Sequence, residues 1–337
     1  MNPLPLNLST DLTLTNNYNP EILNFWDKHA QSSHFQGVDN KTVQTISIVT
    51  GNEKVVVISQ GRNESVLKYK EIAYDLHQQG YDIFLIDHRG QGFSERFGGD
   101  QYRGYVANFQ DYVDDFHQYV HSLQLEKKYS GRYLLSHSMG GTISALYLQQ
   151  FKHPFQASIF FSPMFSINFG SRPTFLVKIV TYSSAEICRW FNSKACYVPA
   201  GKAYVNRPFK GNQVTHSQVR FNSAQAGFTA FPETQLGDAT MRWVATSISA
   251  TEQAIENAHK INIPVLIVQA GKDSIVTSVG QKAFFEKLTP CQLNEFLTLE
   301  EAKHELLLER DDLRSRALTH VFTFINATTR NQKTCTK

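Results

Sequence analysis

The sequence predicts an α/β fold: a mostly parallel central sheet flanked by helices, with a helical insertion late in the chain. Three observations carry the prediction. Short apolar runs alternate with segments of helical periodicity from about residue 42 to 163. Several of the runs, such as Val55-Val56-Val57-Ile58, are apolar at every position, as strands covered on both faces are. The rhythm breaks at about Met164 and returns at Pro264, and the stretch between is helical wherever it has a pattern.

The elements follow in order. Residues 1–40 form an N-terminal extension, polar and irregular, with a short helical patch over Glu21–His29. The first part of the core spans 41–163. Thr42–Val49 alternates branched residues as an edge strand does, and Lys54–Ser59 reads as a buried strand. Tyr69, Ile72, Ala73 and Leu76 make one apolar helix face, and Tyr81–Ile86 is a strand. Phe109, Tyr112, Val113, Phe116, Val120 and Leu123 make a second helical stripe. A strand at Tyr133–Leu135, a helix over Thr142–Gln150 and a strand at Ala157–Phe161 complete this part. The insertion spans 164–260, with Phe175, Leu176, Ile179 and Val180 leading to Trp190 and Phe191. The second part of the core, 261–328, holds strands at Pro264–Gln269 and Leu293–Leu299 and helices at Val279–Leu288 and Leu313–Ile325. The tail, 329–337, is polar and basic and is expected to fray.

Composition narrows the function classes. The chain has 337 residues, enough for one large domain or two smaller ones, and 41% hydrophobic residues supply a sizeable core. A formal net charge of +3 gives no support for a nucleic-acid partner. Met1–Asn17 lacks the charged and apolar regions of a signal peptide, and no run approaches the about 18 apolar residues of a membrane span. A soluble or peripheral protein is therefore expected. Cys188, Cys196, Cys291 and Cys335 show no CxxC spacing and no cluster with histidine. They are expected to be reduced thiols, which favours a reducing compartment, with a Cys188–Cys196 pair as the alternative.

The chemistry concentrates in Leu134-Leu135-Ser136-His137-Ser138-Met139-Gly140-Gly141. A serine between a strand and a helix, flanked by small residues, has the form of a nucleophile elbow, with Ser136 where the G-x-S-x-G pattern has its first glycine. The other reading is a helix-capping serine. A nucleophilic serine needs a base, and the base needs an orienting anion. After the insertion, one strand runs into Gly271-Lys272-Asp273 and the last strand into a loop carrying His304. Ser138, Asp273 and His304 thus follow three separate strands, in the order this architecture requires, at the sheet edge where ligands sit. Glu301 and Glu305 are expected to be solvated loop charges. The oxyanion formed on attack needs backbone donors. Met139, next to the serine, and Arg62, in the Gly61-containing loop after the Val55 strand, are the candidates.

Asp87-His88-Arg89-Gly90-Gln91-Gly92-Phe93-Ser94 resembles the loop after the third core strand in the monoacylglycerol lipase and lysophospholipase branch of the α/β-hydrolases. Gln60-Gly61-Arg62, the Ser-His-Ser-Met-Gly-Gly elbow, Gly271-x-Asp273 and His304 match that branch as well. The likeness to its bacterial lysophospholipases extends through Asn63-Glu64-Ser65 with Lys68-Tyr69, Asn108–Asp115, Ser162-Pro163-Met164-Phe165, Val214–Ser217 and Trp243-Val244. It covers about residues 41 to 327 and departs from the wider branch at Ser136 and at Gln60, where a histidine is usual.

The resemblance implies an α/β-hydrolase fold with the insertion as a helical lid. It also implies hydrolysis of the acyl ester of lysophospholipids, with acyl transfer as a possible side reaction. Ser138, Asp273 and His304 would be catalytic and Met139 and Arg62 the oxyanion hole, with no metal or organic cofactor. Phe165, Phe169, Phe175, Trp190, Phe191 and Trp243 are candidates for an acyl pocket, Phe165 and Trp243 foremost. Asp87 to Arg89 would be structural, and His88 and His137 local hydrogen-bonding partners. The implied setting is peripheral contact with membrane lipid at the cytoplasmic face of a bacterial inner membrane, or the cytoplasm, without an obligate protein partner. A monoacylglycerol lipase or general carboxylesterase is the alternative within the chemistry. A non-catalytic lipid-binding scaffold is the alternative outside it.

Overall fold

The computed structural model describes residues 6–12, 14, 19–330 and 335. The elements are helix α1 (Pro20–His29), strands β1 (Ala30–Gln36), β2 (Thr42–Ile48) and β3 (Lys54–Ser59), helix α2 (Lys70–Gln78), strand β4 (Tyr81–Asp87), helices α3 (Gln110–Leu123) and α4 (Leu125–Lys128), strand β5 (Gly131–His137), helix α5 (Met139–Gln150), strand β6 (Ala157–Phe161), helices α6 (Thr174–Phe191), α7 (Gln218–Ala230) and α8 (Met241–Glu256), strand β7 (Val265–Ala270), helix α9 (Ser278–Glu286), strand β8 (Glu295–Leu299) and helix α10 (Asp311–Arg330). They build one sheet in the order β1-β2-β4-β3-β5-β6-β7-β8. β1, β2 and β4 pair antiparallel and every later pairing is parallel.

Residues of the central strands alternate between two cores. Val55, Val57, Phe84, Ile86 and Leu134 face one side, where α3, α5, α8 and α9 pack. Val56, Ile58, Ile83, Leu85 and Leu135 face the other, under α1, α2 and α10. A strand buried on both faces has no polar positions to reveal its period, which is why these runs read as continuously apolar. α5 lies at the centre and is buried from Met139 to Leu148, so it carries no polar face.

The sheet begins one strand earlier than the sequence suggested. Thr42–Ile48 is not the edge; it pairs with β1, Ala30 opposite Ile48. β1 is Ala-Gln-Ser-Ser-His-Phe-Gln and mostly exposed, so hydrophobic patterning cannot detect it. A polar edge strand discourages pairing with other chains. The tail expected to fray lies mostly outside the described residues.

The segment 164–260 holds two kinds of helix. α8 buries Trp243, Val244, Ile248, Ala250 and Ala254 in the same core as α5 and α9. α6 packs on α8 through a face that includes the buried Thr181 and Cys188. Its opposite face carries Phe175, Leu176, Ile179, Val180, Ile187, Trp190 and Phe191, all exposed. These positions share one side of a helix that turns about 100° per residue. No helix among the described residues is long and apolar enough to cross a membrane.

The cysteine expectation is corrected. Cys188 pairs with Cys196 and Cys291 with Cys335, leaving no free thiol. The first pair ties the end of α6 to the loop after it. The second joins residues 44 apart, a separation that spacing alone cannot signal. Full pairing fits an oxidising rather than a reducing compartment.

Candidate active site

The site is assembled at the C-terminal ends of three parallel strands. β5 ends at His137 and α5 begins at Met139, so Ser138 alone makes the turn. Its backbone stands at φ 51°, ψ −117°, a conformation that non-glycine residues adopt only when the surroundings enforce it. Here the Ser138 N–H donates to the Phe161 carbonyl at 3.1 Å, and the Ser138 carbonyl accepts from Gly141 and Met164 at 2.9 Å each. α5 can approach the sheet this closely only because residue 140 is glycine. A Cβ there would lie 2.1 Å from the Ser59 carbonyl oxygen. Two residues before Ser138, Ser136 is tolerated because its neighbour is small, and its hydroxyl donates to Ser144 Oγ at 2.7 Å.

Asp273 and His304 are brought together by the loops after β7 and β8. The Gly271 N–H donates to the Leu299 carbonyl at 2.9 Å and the Lys272 N–H to the Ala302 carbonyl at 2.8 Å. A Cβ on Gly271 would strike the Glu300 carbonyl oxygen at 2.4 Å. With the loops clasped in this way, His304 Nδ1 lies 2.7 Å from Asp273 Oδ2, and His304 Nε2 lies 3.0 Å from Ser138 Oγ. The second Asp273 oxygen accepts the Ile275 and Val276 N–H groups at 2.8 and 3.0 Å. Burial alone would raise this carboxyl; the His304 hydrogen bond and charge and the two amides outweigh it and hold Asp273 below the ordinary range. The geometry is a serine hydroxyl against an imidazole whose other nitrogen is fixed by a carboxylate, which can deliver a nucleophile.

The two oxyanion candidates occupy the expected elements. Met139 opens α5, where the first N–H groups have no partner within the helix. In the loop after β3 the Gly61 N–H is taken by Glu64 Oε2 at 2.8 Å, which leaves Arg62 next in line. The Arg62 guanidinium donates to the Gly237 and Asp238 carbonyls at 3.0 and 2.9 Å and lies 5.0 Å from the Trp243 ring.

A cavity of about 700 Å³ opens over Ser138 and His304. Trp243 lines it, with Ile167, Phe221, Phe228 and Leu236, and Arg207 and Lys210 stand in its wall. Phe165 does not line it, and that expectation is corrected. It is fully buried, stacked on Phe284 at 3.8 Å between ring centres, because the chain turns back into the core directly after β6. Phe175, Trp190 and Phe191 are likewise not pocket residues, since they point to solvent from α6.

The Asp87–Arg89 stretch makes structural contacts. Asp87 accepts from the Gln60 side chain at 2.5 Å and from the Val66 and Phe93 N–H groups at 2.8 Å. Gln60, standing where a histidine is usual, thus anchors the loop that carries Arg62. Burial pushes the Asp87 carboxyl up to about 6 in spite of its donors. His88 meets Ser59 Oγ at 2.9 Å, and burial lowers its ring to about 3, so it is neutral. Arg89 forks onto Asp115 at 2.6 and 2.9 Å.

Glu305 is not a solvated charge. It meets Lys68 Nζ at 2.6 Å, and the same ammonium reaches Glu64 at 2.7 Å. His137 sits against Glu64 at 2.7 Å and within 3.7 Å of Glu305. Lys68 and Glu64 are four residues apart, a spacing that suggests a pair; Glu305, 237 residues from Lys68, gives no such signal. Glu64, His137 and Glu305 are spaced as metal ligands could be. The Lys68 ammonium between the two carboxylates already supplies the positive charge a metal ion would bring, so the group reads as an ion-pair cluster.

The chain is similar to known proteins over most of its length. The Hydrolase_4 family model, described as serine aminopeptidase S33, matches residues 50–311. Lysophospholipase L2 of Escherichia coli K12 is 33% identical over 314 residues, covering 90% of each chain. Monoglyceride lipase of Rattus norvegicus is 26% identical over 281 residues, 82% of this chain and 84% of the other. Among solved structures, a soluble variant of Saccharomyces cerevisiae monoglyceride lipase in complex with a substrate analog superposes with a TM-score of 0.69. That match covers 89% of this chain and 96% of the other at 17% identity, a likeness of fold.

Proposed function

The chain belongs to the Hydrolase_4 family of α/β-hydrolases, and on that premise we propose that it cleaves the acyl ester of lysophospholipids and releases a fatty acid through an acyl-serine intermediate. The reading rests on the hydrogen-bonded series Ser138–His304–Asp273 at the mouth of an amphipathic cavity. Ser138 Oγ attacks the ester carbonyl while His304 Nε2 takes its proton. Asp273 holds the ring and offsets its positive charge. The Met139 and Arg62 N–H groups receive the oxyanion. His304 returns the proton to the departing glycerol oxygen, and a water molecule, deprotonated by the same histidine, attacks the acyl-serine and frees the acid.

The cavity supports the lipid class. Trp243 and its apolar neighbours suit an acyl chain, at about 0.8 kcal/mol for each methylene buried. Lys210 offers positive charge to a phosphodiester, which a monoacylglycerol lacks, and Arg207 stands beside it, paired with Asp238. Helices α6 and α7 with their loops serve as the lid, and the α7–α8 connection is held to the catalytic loop by Arg62. The apolar outer face of α6 makes peripheral contact with a phospholipid surface through its exposed aromatic and aliphatic side chains; Lys178, Arg189 and Lys194 nearby are paired with Glu252, Glu186 and Asp100.

Purified enzyme offered lysophosphatidylethanolamine, lysophosphatidylcholine and monoacylglycerol should release fatty acid fastest from a lysophospholipid. A fluorophosphonate should label wild type but not Ser138→Ala. Preference for monoacylglycerol would move the reading to a lipase, and an unlabelled wild type would end it.

A further inference from the structure

His137 immediately precedes Ser138, yet its side chain contacts the loop of the base. Nδ1 lies 2.7 Å from Glu64 Oε1, and Nε2 lies 3.3 Å from the carbonyl oxygen of His304. Both partners are acceptors. A carbonyl oxygen can only accept. Glu64 already takes hydrogen bonds from the Gly61 N–H, the Tyr69 hydroxyl and the Lys68 ammonium, so it is ionised. A neutral imidazole has one N–H and would turn a lone pair on one of these oxygens. We infer that His137 is an imidazolium in the working enzyme, a positioning residue whose two N–H groups tie the nucleophile's strand to the main chain of the catalytic base. This rests on the reading of Ser138 and His304 as nucleophile and base.

The surroundings of the ring agree. From the loop after β3 it meets Glu64, and from the loop after β8 His304 and Glu305; Tyr69 and Lys68, from the turn at 66–69, bond to the same two carboxylates, and the Lys68 charge opposes that of the ring. With His137 charged, Glu64, Glu305, Lys68 and His137 form a quartet of zero net charge. Burial alone would lower the ring's pKa, but the facing Glu64 and Glu305 outweigh it and raise it above its ordinary value. Burial likewise favours a protonated Glu64, and Lys68 and His137 overrule it. The His304 carbonyl also accepts the Leu306 N–H at 3.1 Å, so His137 completes its second acceptor site. The His304 ring lies 4.9 Å from that of His137. A shift of the His304 main chain would therefore be transmitted directly to the 3.0 Å approach to Ser138.

The sign of the pH effect follows. Below its raised pKa the ring carries both protons and the tie is complete. Above it one proton leaves. The ionised Glu64 retains the remaining N–H, and the His304 carbonyl loses its donor. Activity then declines at alkaline pH through a group outside the Ser138–His304–Asp273 series.

The direct test is nuclear magnetic resonance of the full chain labelled with ¹⁵N-histidine, the His137 signals being assigned by their loss in His137→Gln. Both ring nitrogens should carry protons at neutral pH and lose one well above the ordinary value of about 6.5. A neutral tautomer at pH 7 would overturn the inference, and this readout does not depend on which ester is cleaved. In kinetics, His137→Gln should lower kcat about tenfold with little change in KM and abolish the alkaline decline, since an amide does not titrate. Glu64→Gln should move the decline to lower pH. If both variants keep the wild-type alkaline limb, the ring does not position the base.

Discussion

Replacing Gly140 by alanine isolates the close approach on which the nucleophile depends. The added Cβ would stand 2.1 Å from the Ser59 oxygen, 2.5 Å from the Ser59 carbonyl carbon and 2.6 Å from the Gln60 oxygen, against 3.4 Å or more in ordinary contact. All three atoms are backbone, in the end of β3 and the loop that leads to Arg62, so no side chain can swing aside. The first turn of α5 has to retreat from the sheet by more than an ångström. Ser138 and Met139 go with it, and Ser138 Oγ leaves the 3.0 Å contact with His304. A misplacement of about 1 Å costs about a hundredfold in rate, and overpacking of this kind costs about 1–3 kcal/mol of stability. Ser136→Gly is the matched control on the other side of the serine. It removes one buried hydrogen bond, to Ser144, and adds backbone freedom, for a loss of about 1–2 kcal/mol with kcat preserved. The assay is fatty-acid release at saturating lysophospholipid, with urea unfolding to establish that each variant is folded. A folded Gly140→Ala enzyme with wild-type kcat would refute the account of the turn.

Asp273→Asn should keep the fold and reduce kcat by about 10⁴, because an amide stabilises the wrong tautomer of His304; fatty-acid release measures it, and a loss below tenfold would demote Asp273 to a loop residue. Arg89→Met strands Asp115 without its counter-ion and should cost about 3–5 kcal/mol in urea unfolding while sparing KM. Thiol titration of the denatured, unreduced chain should find no free cysteine. Reduction should remove about 2.5 kcal/mol for the 8-residue loop and about 4 kcal/mol for the 44-residue loop, visible as a lower Tm. The double change Trp190→Ser with Phe191→Ser should weaken sedimentation with anionic vesicles and leave hydrolysis of a short-chain soluble ester unchanged. An altered oligomeric state with unchanged vesicle binding would identify a second copy as the occupant of that face.

The Ser138, Asp273 and His304 positions were legible because each follows its own strand, and strand–helix alternation is a local signal. What the sequence concealed depends on distant partners. The outer stripe of α6 has the periodicity of a core face, and only its packing on α8 reveals that it points outward. Phe165 follows a strand just as a pocket residue could, and its direction is set by Phe284, far along the chain. β1 leaves no signal in the sequence because its polar residues do not alternate with apolar ones. Glu305 reads as a surface charge in the sequence because Lys68 and His137 lie far from it along the chain. The Cys291–Cys335 link was hidden for the same reason, since α10 must fold back on the sheet before the two thiols meet.

β6 and β7 are neighbours in the sheet, with Phe161 opposite Val268. The chain nevertheless travels through α6 and α7 before α8 brings it back. Ser138, Asp273 and His304 come from the ends of β5, β7 and β8, and none is supplied by that excursion. The region between Phe165 and Thr240 is in effect a cassette mounted on a finished catalytic frame. Its exposed parts can vary in length without moving Ser138, whereas the stretch from Asn212 to Arg220 is bonded to the loop that carries His304. The coupling that a replacement has to respect is extensive: Arg62 grips the carbonyls of Gly237 and Asp238, buried Arg220 is paired with Glu71 and Asp311, Thr215 and His216 bond to Leu308 and Glu309, and the Val214 carbonyl accepts the Glu305 N–H beside His304. Recombinants that exchange the cassette therefore have to keep all of these anchors, the Val214 and Arg220 contacts above all, if new acyl specificities are to appear on an intact frame.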